Sequence, residues 1–260
     1  MSSMPPFKAL LAVDVVGASA VEDDLLGEIR PAIDGMLRQA FDEVRLDYDE
    51  RMNLSPTGDG DLMCFPEGFL PKIIDAACHL HALLYHHNRR RKPEIPMRVS
   101  IHTAPMNVSD QPSLQRGYIE LTRMLEAAAL KSVVRRCQRD APFSLALILS
   151  DQAYRVAVLA RRTAKLHPHA FAQVDVVNKE YRERCWVHVP GRDAARIAEF
   201  AAEPAVQRTP QDAPATSQVR NVNGAVQGNA INGDVAGPAI ANFGQMSGFD
   251  PFGQQWGGRG

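Results

Sequence analysis

The chain has 260 residues, 45% of them hydrophobic, which suits one large domain or a domain with a tail. Its formal net charge of −1 argues against global attraction to nucleic acid or to an acidic membrane surface. The four cysteines are far apart and form no CxxC pair, which argues against a zinc site and a disulfide framework. With no signal peptide and no apolar run long enough to span a membrane, we expect a cytoplasmic protein.

The first hundred residues predict strands alternating with helices. The first strand is a short apolar run in which Asp14 is the one charge, and the next helix shows three- and four-residue apolar steps. A strong turn signal at Thr57–Asp61 predicts a hairpin. The predicted elements are a strand at Lys8–Val16, a helix at Val21–Val44, strands at Met52–Ser55 and Leu62–Phe65, a helix at Pro71–Asn88 and a strand at Pro96–Ala104.

The next hundred residues continue the alternation. A polar loop at Asn107–Gln115 precedes them. The predicted elements are a helix at Tyr118–Arg139, a strand at Phe143–Leu149, a short helix capped by Ser150 and ending at Leu159, and a strand pair at Phe171–Val177 and Cys185–Val189. This order predicts an α+β fold: a ferredoxin-like mixed sheet flanked by helices.

The composition changes near residue 203, so we predict a domain at 1–200, a linker at 201–217 and a low-complexity tail at 218–260. The linker is rich in Pro, Ala, Thr and Gln. The tail holds more than half of the 18 glycines and very few charges, so it cannot bury a core as a monomer.

Two acidic positions suggest chemistry. Asp14 ends a buried strand, and Asp59 lies between two glycines at the hairpin tip. If these strands are neighbours, the two carboxylates converge, and with backbone oxygens such as that of Val15 they suit Mg²⁺ or Mn²⁺. Taken alone, the GDG sequence is also consistent with a tight turn, and Asp14 with a buried carboxylate satisfied by backbone donors.

Five motifs together resemble the class III nucleotidyl cyclase catalytic domain over roughly residues 7–190. They are Asp14 with the Val-Gly-Ala-Ser sequence that follows Val15, the Gly58–Gly60 hairpin, the Met97–Thr103 strand, the Leu121–Leu125 helix and the Leu149–Asp151 turn. The resemblance implies a head-to-tail homodimer with shared active sites. One subunit supplies both metal-binding aspartates, and its partner holds the nucleoside triphosphate, which becomes a 3′,5′-cyclic nucleotide and pyrophosphate.

The resemblance also implies individual roles. Arg123 matches the arginine that steadies the transition state. Lys179 and Arg182 are candidates for the cationic phosphate ligand, and a solvated turn is the alternative explanation for both residues. The adenine-reading lysine of the family is replaced by Ser55 at the base site, and its asparagine by Ile119 or, with a slip, Glu120. In these departures, in its single-domain form and in its tail, the chain resembles the bacterial pyrimidine cyclases of anti-phage signalling, which make cyclic UMP or cyclic CMP.

The tail carries a Gly/Asn-rich quasi-repeat, and its Val226–Asn229 segment resembles amyloid signalling motifs that recruit a partner bearing a matching motif. A disordered glycine-rich tail is the alternative. For the whole chain we expect a metal-dependent cyclase acting on UTP or CTP. The competing hypothesis is a catalytically inactive cyclase-like module that binds a nucleotide or a protein and signals through the tail.

Overall fold

The computed structural model describes residues 5–18, 23–51, 53–56, 60–107, 115–140 and 142–202. For residues 23–26, 28 and 53–56 it describes the backbone alone. Asp59, most of the loop predicted at Asn107–Gln115, and the predicted linker and tail from residue 203 onward lie outside the described residues.

The described elements follow the predicted alternation. The strands are β1 (Phe7–Val15), β2 (Asn53–Pro56), β3 (Gly60–Pro66), β4 (Met97–Pro105), β5 (Leu145–Ser150), β6 (Ala172–Asn178) and β7 (Tyr181–His188). The helices are α1 (Asp23–Glu43), α2 (Leu70–Arg90), α3 (Arg116–Leu125), α4 (Ala128–Asp140), α5 (Asp151–Ala153), which continues as a π-helical turn at Tyr154–Leu159, and α6 (Ala194–Ala202). None of the described helices is long and apolar enough to cross a membrane.

Within the described residues, seven strands form one mixed sheet in the order β2-β3-β1-β4-β5-β7-β6. The neighbouring strands are antiparallel except β4 and β5, which run parallel. Since β4, β1, β3 and β2 lie side by side with two intervening helices, the first half is a ferredoxin-like unit, and the predicted fold class is confirmed.

The strands alternate between two apolar environments. One face of the sheet packs against α1 and α2 and forms the largest core cluster, which includes Leu11, Val13, Val99 and Leu147. The other face is covered by α3 over β1 and β4, and by α4 and α6 over β5, β6 and β7. Adjacent residues of one strand therefore face different helices. The position of a polar residue along its strand determines which of the two sheet faces its side chain lies on.

The predicted single helix at Tyr118–Arg139 is wrong, because the chain breaks into α3 and α4. Glu126 leaves helical geometry with φ −87° and ψ 1°, and the amide of Ala127 donates to the carbonyl of Met124 at 3.2 Å. Leu121 and Leu125 pack in the cluster over β1, whereas the residues of α4 pack in the cluster over β5 to β7. Because each helix keeps an apolar face, the periodicity continues across the break and hides it.

Two histidines are packed between α2 and the far end of the sheet. Burial lowers the pKa of His81, and the proximity of His188 lowers it further. Burial also lowers the pKa of His188, whose Nδ1 donates to the carbonyl of Ala170 at 2.8 Å. The native state therefore favours the neutral imidazoles, and unfolding below the ordinary histidine pKa of 6.5 takes up protons.

We expect the free energy of unfolding contributed by this pair to be fully present above the unfolded-state histidine pKa and to be lost as the pH falls below it. Urea unfolding midpoints measured at pH 7.5, 6.5 and 5.5 should show a smaller loss on acidification for His81→Leu than for the unaltered chain. An equal loss in both proteins would contradict the assignment.

Candidate functional site

Asp14 lies one residue before the end of β1, where the register sets it opposite Gly60 of β3 and Arg98 of β4. Its side chain is 15% exposed and that of Arg98 is 11% exposed. Nε of Arg98 donates to Oδ2 of Asp14 at 2.8 Å, and Nη2 donates to the same oxygen. The one acidic side chain of β1 is therefore stabilised by a guanidinium on the neighbouring strand.

Arg98 also connects this carboxylate to the end of α3. Its Nη1 donates to the carbonyl of Leu125 at 3.2 Å, and its Nη2 lies 3.1 Å from Oε1 of Glu126. Arg98 belongs to the Met97–Thr103 motif, from which no role for it is predicted. Strand alternation could have indicated one, since Arg98 and Asp14 both occupy positions on the face away from α1 and α2.

The strand carrying Gly60 is adjacent to the strand carrying Asp14, which confirms the pairing that the metal-site hypothesis required. Asp59 precedes Gly60 in the chain and lies outside the described residues. The backbone of Ser55 pairs with Leu62, which in turn pairs with Ala12. Ser55, the predicted base-site residue, is therefore on the second strand from β1. Across the sheet it is level with Ala12, two residues before Asp14.

The donor set fits a hard divalent cation. A strand-end carboxylate with a neighbouring backbone carbonyl, such as that of Val15, offers the oxygen ligands that Mg²⁺ and Mn²⁺ prefer. Among the residues that the structure describes, no group of three His, Cys, Asp or Glu side chains lies close enough to hold a metal ion. A cation bound by Asp14 would therefore need further oxygen ligands besides the described carboxylates, such as backbone carbonyls or phosphate oxygens.

Arg123 and the β6–β7 hairpin lie together. Nη2 of Arg123 lies 2.6 Å from Oε2 of Glu180, and Nδ2 of Asn178 donates to the carbonyl of Arg123 at 3.0 Å. Lys179 and Glu180 form the two-residue turn, in which Lys179 has a φ of 54° and is exposed. The structure thus brings two of the predicted cationic residues, Arg123 and Lys179, to one end of α3.

Arg182 is exposed on β7 and does not join them. Its neighbours Tyr181 and Glu183 face the α3 and α4 side, where Tyr181 is part of the core cluster. Alternation along β7 places Arg182 on the opposite face, beside Asp175 and Arg184 in a shallow groove. Of the two candidates for the phosphate ligand, Lys179 is the one on the same side as Arg123.

Glu120 is engaged away from Arg123. It accepts from Nε2 of His102 at 3.2 Å and from Nε of Arg116 at 2.7 Å. The hydrogen bond from His102, followed by that from Arg116, lowers the pKa of Glu120 to about 2. Ile119 is half-buried on the other flank of α3. Neither Ile119 nor Glu120, the two positions aligned with the asparagine of the resembled family, carries an amide side chain.

A polar cavity of about 390 Å³ lies between α3 and the strands β4, β5 and β7. Its walls include His102, Arg116, Glu120, Asp151 and Glu183. Most of these charges are already paired within the chain, since Glu120 binds His102 and Arg116, and Asp151 accepts from Trp186 Nε1 at 2.9 Å. The cavity beside α3 is thus lined by charged side chains that mostly have partners within the chain already.

Comparison with solved structures identifies the fold. An adenylate/guanylate cyclase/hydrolase from Silicibacter pomeroyi superimposes with a TM-score of 0.50 and 17% identity, covering 73% of this chain and 100% of the other. The guanylyl cyclase Cya2 (TM-score 0.49, 10% identity, 74% and 98% coverage) and adenylate cyclases from Trypanosoma brucei (0.49, 15%, 72% and 90%) are also similar. No protein-family model matches the sequence, and no curated protein does. On the superposition with the Silicibacter pomeroyi protein, the chain has the fold of that cyclase domain.

The position of α3 depends on a close approach at Gly117. A Cβ there would lie 2.9 Å from Cδ1 of Leu10, 3.0 Å from Cβ of Ala104 and 3.0 Å from Sδ of Met106. We expect Gly117→Ala to displace α3 from β1 and β4 and to lower the free energy of unfolding by about 1–3 kcal/mol, measured by urea denaturation. Gly35→Ala in α1 is the matched control, because nothing lies within 4 Å of its Cβ.

The control should leave the free energy of unfolding unchanged or raise it by up to about 1 kcal/mol, because alanine is the better helix former. If both substitutions have the same effect, the close packing at Gly117 does not fix α3.

Proposed function

We propose that this protein is a metal-dependent nucleotidyl cyclase that converts a nucleoside triphosphate into a 3′,5′-cyclic nucleotide and pyrophosphate. The observation that carries the proposal is the position of Asp14 opposite Gly60, on the sheet of a cyclase fold and beside Arg98. The Asp14 side chain is only 15% exposed, and burying a carboxylate is costly. Cation binding would explain why a carboxylate is kept at this strand end.

The proposed division of labour follows the charges. Asp14 and Asp59 hold the divalent cations, Mg²⁺ or Mn²⁺, which supply charge neutralisation of the triphosphate and lower the pKa of the attacking 3′-hydroxyl. Arg98, which binds Asp14, adds a positive charge next to this carboxylate. The ribose 3′-oxygen bonds to the α-phosphorus, the bond to pyrophosphate breaks, and the hydroxyl proton leaves to solvent.

The residues around the reacting phosphate come from a second subunit in this proposal. Arg123 steadies the charge of the transition state, and Lys179, in the exposed turn beside it, meets the phosphates. Arg182 lies on the other face of β7, and we assign it no contact with the phosphates. The arrangement requires a head-to-tail homodimer, because the cationic pair and the two aspartates then face each other across the interface.

The finer identity of the reaction follows from the residues that differ from adenylyl members of the resembled family. Ser55 replaces the adenine-reading lysine, and because this departure and the tail resemble the bacterial pyrimidine cyclases, we propose UTP or CTP as substrate. We further propose that the protein acts in the cytoplasm in anti-phage signalling, with the 218–260 tail recruiting a partner that bears a matching amyloid-like motif.

One observation favours a different function. Ile119, an apolar half-buried residue, stands where the resembled family has an asparagine, and Glu120 is held by His102. A catalytically inactive module that binds a nucleotide or a protein would tolerate this loss. Such a module would form no pyrophosphate, whether its ligand is a nucleotide or a protein, and this distinguishes it from the enzyme.

The experiment that tests the proposal incubates the purified full chain with ATP, GTP, CTP or UTP and Mn²⁺, and identifies the products by mass. We expect a cyclic nucleotide from UTP or CTP. Asp14→Asn and Asp59→Ala should each lower product formation by at least about 100-fold, because each removes a ligand worth several kcal/mol of transition-state stabilisation.

The matched control is Asp175→Ala, which removes an exposed carboxylate from β6. It should leave product formation within about twofold, and thermal melting should confirm that all variants fold. A folded dimer that yields no product from any of the four nucleotides would favour the inactive module, and activity that survives Asp59→Ala would contradict the metal site.

The ion pair between Arg123 and Glu180 predicts a further kinetic effect. Arg123 must leave this carboxylate to contact a phosphate, so we expect Glu180→Gln to raise kcat/KM by up to about fivefold, the typical strength of an exposed ion pair. Glu199→Gln, which breaks the exposed pair between Arg196 and Glu199 in α6, is the control and should have no effect. A fall in kcat/KM for Glu180→Gln would show instead that Glu180 orients Arg123.

A further inference from the structure

Arg30 of α1 contacts the first two residues of β3. Its Nη1 donates to the carbonyl of Gly60 at 3.2 Å, and its Nη2 donates to Oδ1 of Asp61. Its Nε lies 3.4 Å from Oδ1 of Asp34 one turn later on the same helix. One guanidinium thus joins α1 to both the backbone and the side chain at the start of β3.

Asp61 is the more unusual member of this pair. Its side chain is 1% exposed, against 28% for Arg30, and its Oδ2 is buried without a hydrogen-bond partner among the described residues. The residues that follow on the same face of β3, Met63 and Phe65, are apolar core residues. An apolar side chain would continue that pattern at lower desolvation cost, so packing alone does not explain a carboxylate at position 61.

The position of the contact suggests its purpose. Gly60 pairs with Asp14 in the sheet, and it is the residue after Asp59 in the chain. Arg30 and Asp61 lie on the α1 face of β3, whereas Asp14 points to the face covered by α3. Arg30 therefore binds β3 from the α1 face of the sheet and does not occupy the opposite face, where a cation bound to Asp14 would lie.

We propose that Arg30 is a positioning residue for the metal site, whose guanidinium fixes the Gly60–Asp61 segment that pairs with the end of β1 at Asp14 and directly follows Asp59 in the chain. This inference rests on the proposed function, since it takes both aspartates to be metal ligands. Asp61 fixes the orientation of the guanidinium. The planar fork of arginine suits this task because it binds a carbonyl and a carboxylate at once, which a lysine ammonium does less rigidly.

The test measures Mn²⁺ binding directly, by the electron paramagnetic resonance signal of free Mn²⁺ titrated with the full-length protein. The main variant is Arg30→Met combined with Asp61→Leu, which removes both charges and leaves neither one buried alone. We expect it to remain folded by circular dichroism and to raise the Mn²⁺ dissociation constant about 10- to 100-fold, as is typical for residues that support metal ligands.

The matched control is Arg38→Met combined with Asp49→Leu. This pair joins the same helix to a nearby turn at 3.5 Å, but its side chains are 51% and 66% exposed. It should leave the Mn²⁺ dissociation constant within about twofold. Arg30→Lys is the second test variant, because it preserves the charge beside Asp61 even if the double substitution unfolds the protein, and it too should weaken Mn²⁺ binding.

A dissociation constant unchanged in every folded Arg30 variant would overturn the positioning role and leave the metal site standing, provided that Asp14→Asn loses Mn²⁺. If the unaltered protein does not bind Mn²⁺, or if Asp14→Asn binds it equally well, the proposed metal site fails and the positioning role fails with it. Weaker binding in the Arg30 variants and unchanged binding in the Arg38 control would support the inference.

Discussion

The ion pair between Asp14 and Arg98 is the constraint on which the arrangement of this domain depends. Both side chains are largely buried, so each would be costly without the other. Their hydrogen bonds join β1 to β4, and Arg98 extends the connection to the carbonyl that ends α3. The helix that carries Arg123 and the strand that carries the candidate metal ligand are thus held by one guanidinium.

Much of the fold could be predicted because strands and helices leave different apolar periods in a sequence. Asp14 could be identified from the sequence because a single charge inside an apolar run is costly and needs an explanation. The hairpin could be predicted because its turn residues are specific to turns. Arg98 was missed because a charged residue that alternates with Met97 and Val99 is also typical of a solvated strand face. Its role depends on which strand lies beside it, and that information is in the sheet order and not in the local sequence.

Other differences have the same origin. The break between α3 and α4 could not be predicted from apolar spacing, because the two helices face different clusters with the same period. Lys179 and Arg182 are equivalent candidates in the sequence, yet Lys179 lies in the turn beside the Arg123–Glu180 pair, whereas the alternation of β7 turns Arg182 to the face away from Tyr181. Asp61 belongs to the predicted turn signal at Thr57–Asp61, whereas the structure shows it buried and bound to Arg30 of α1.

The separation of α3 from α4 also affects local stability. α3 is ten residues long and packs mainly in the smallest of the three clusters, whereas α4 shares a larger one with α6 and the last strands. Elements with few buried partners open at lower free energy than the rest of a domain. The amides of α3 should therefore exchange hydrogen for deuterium sooner than those of β5, and Arg123 belongs to a segment that can loosen while the α1–α2 core stays closed.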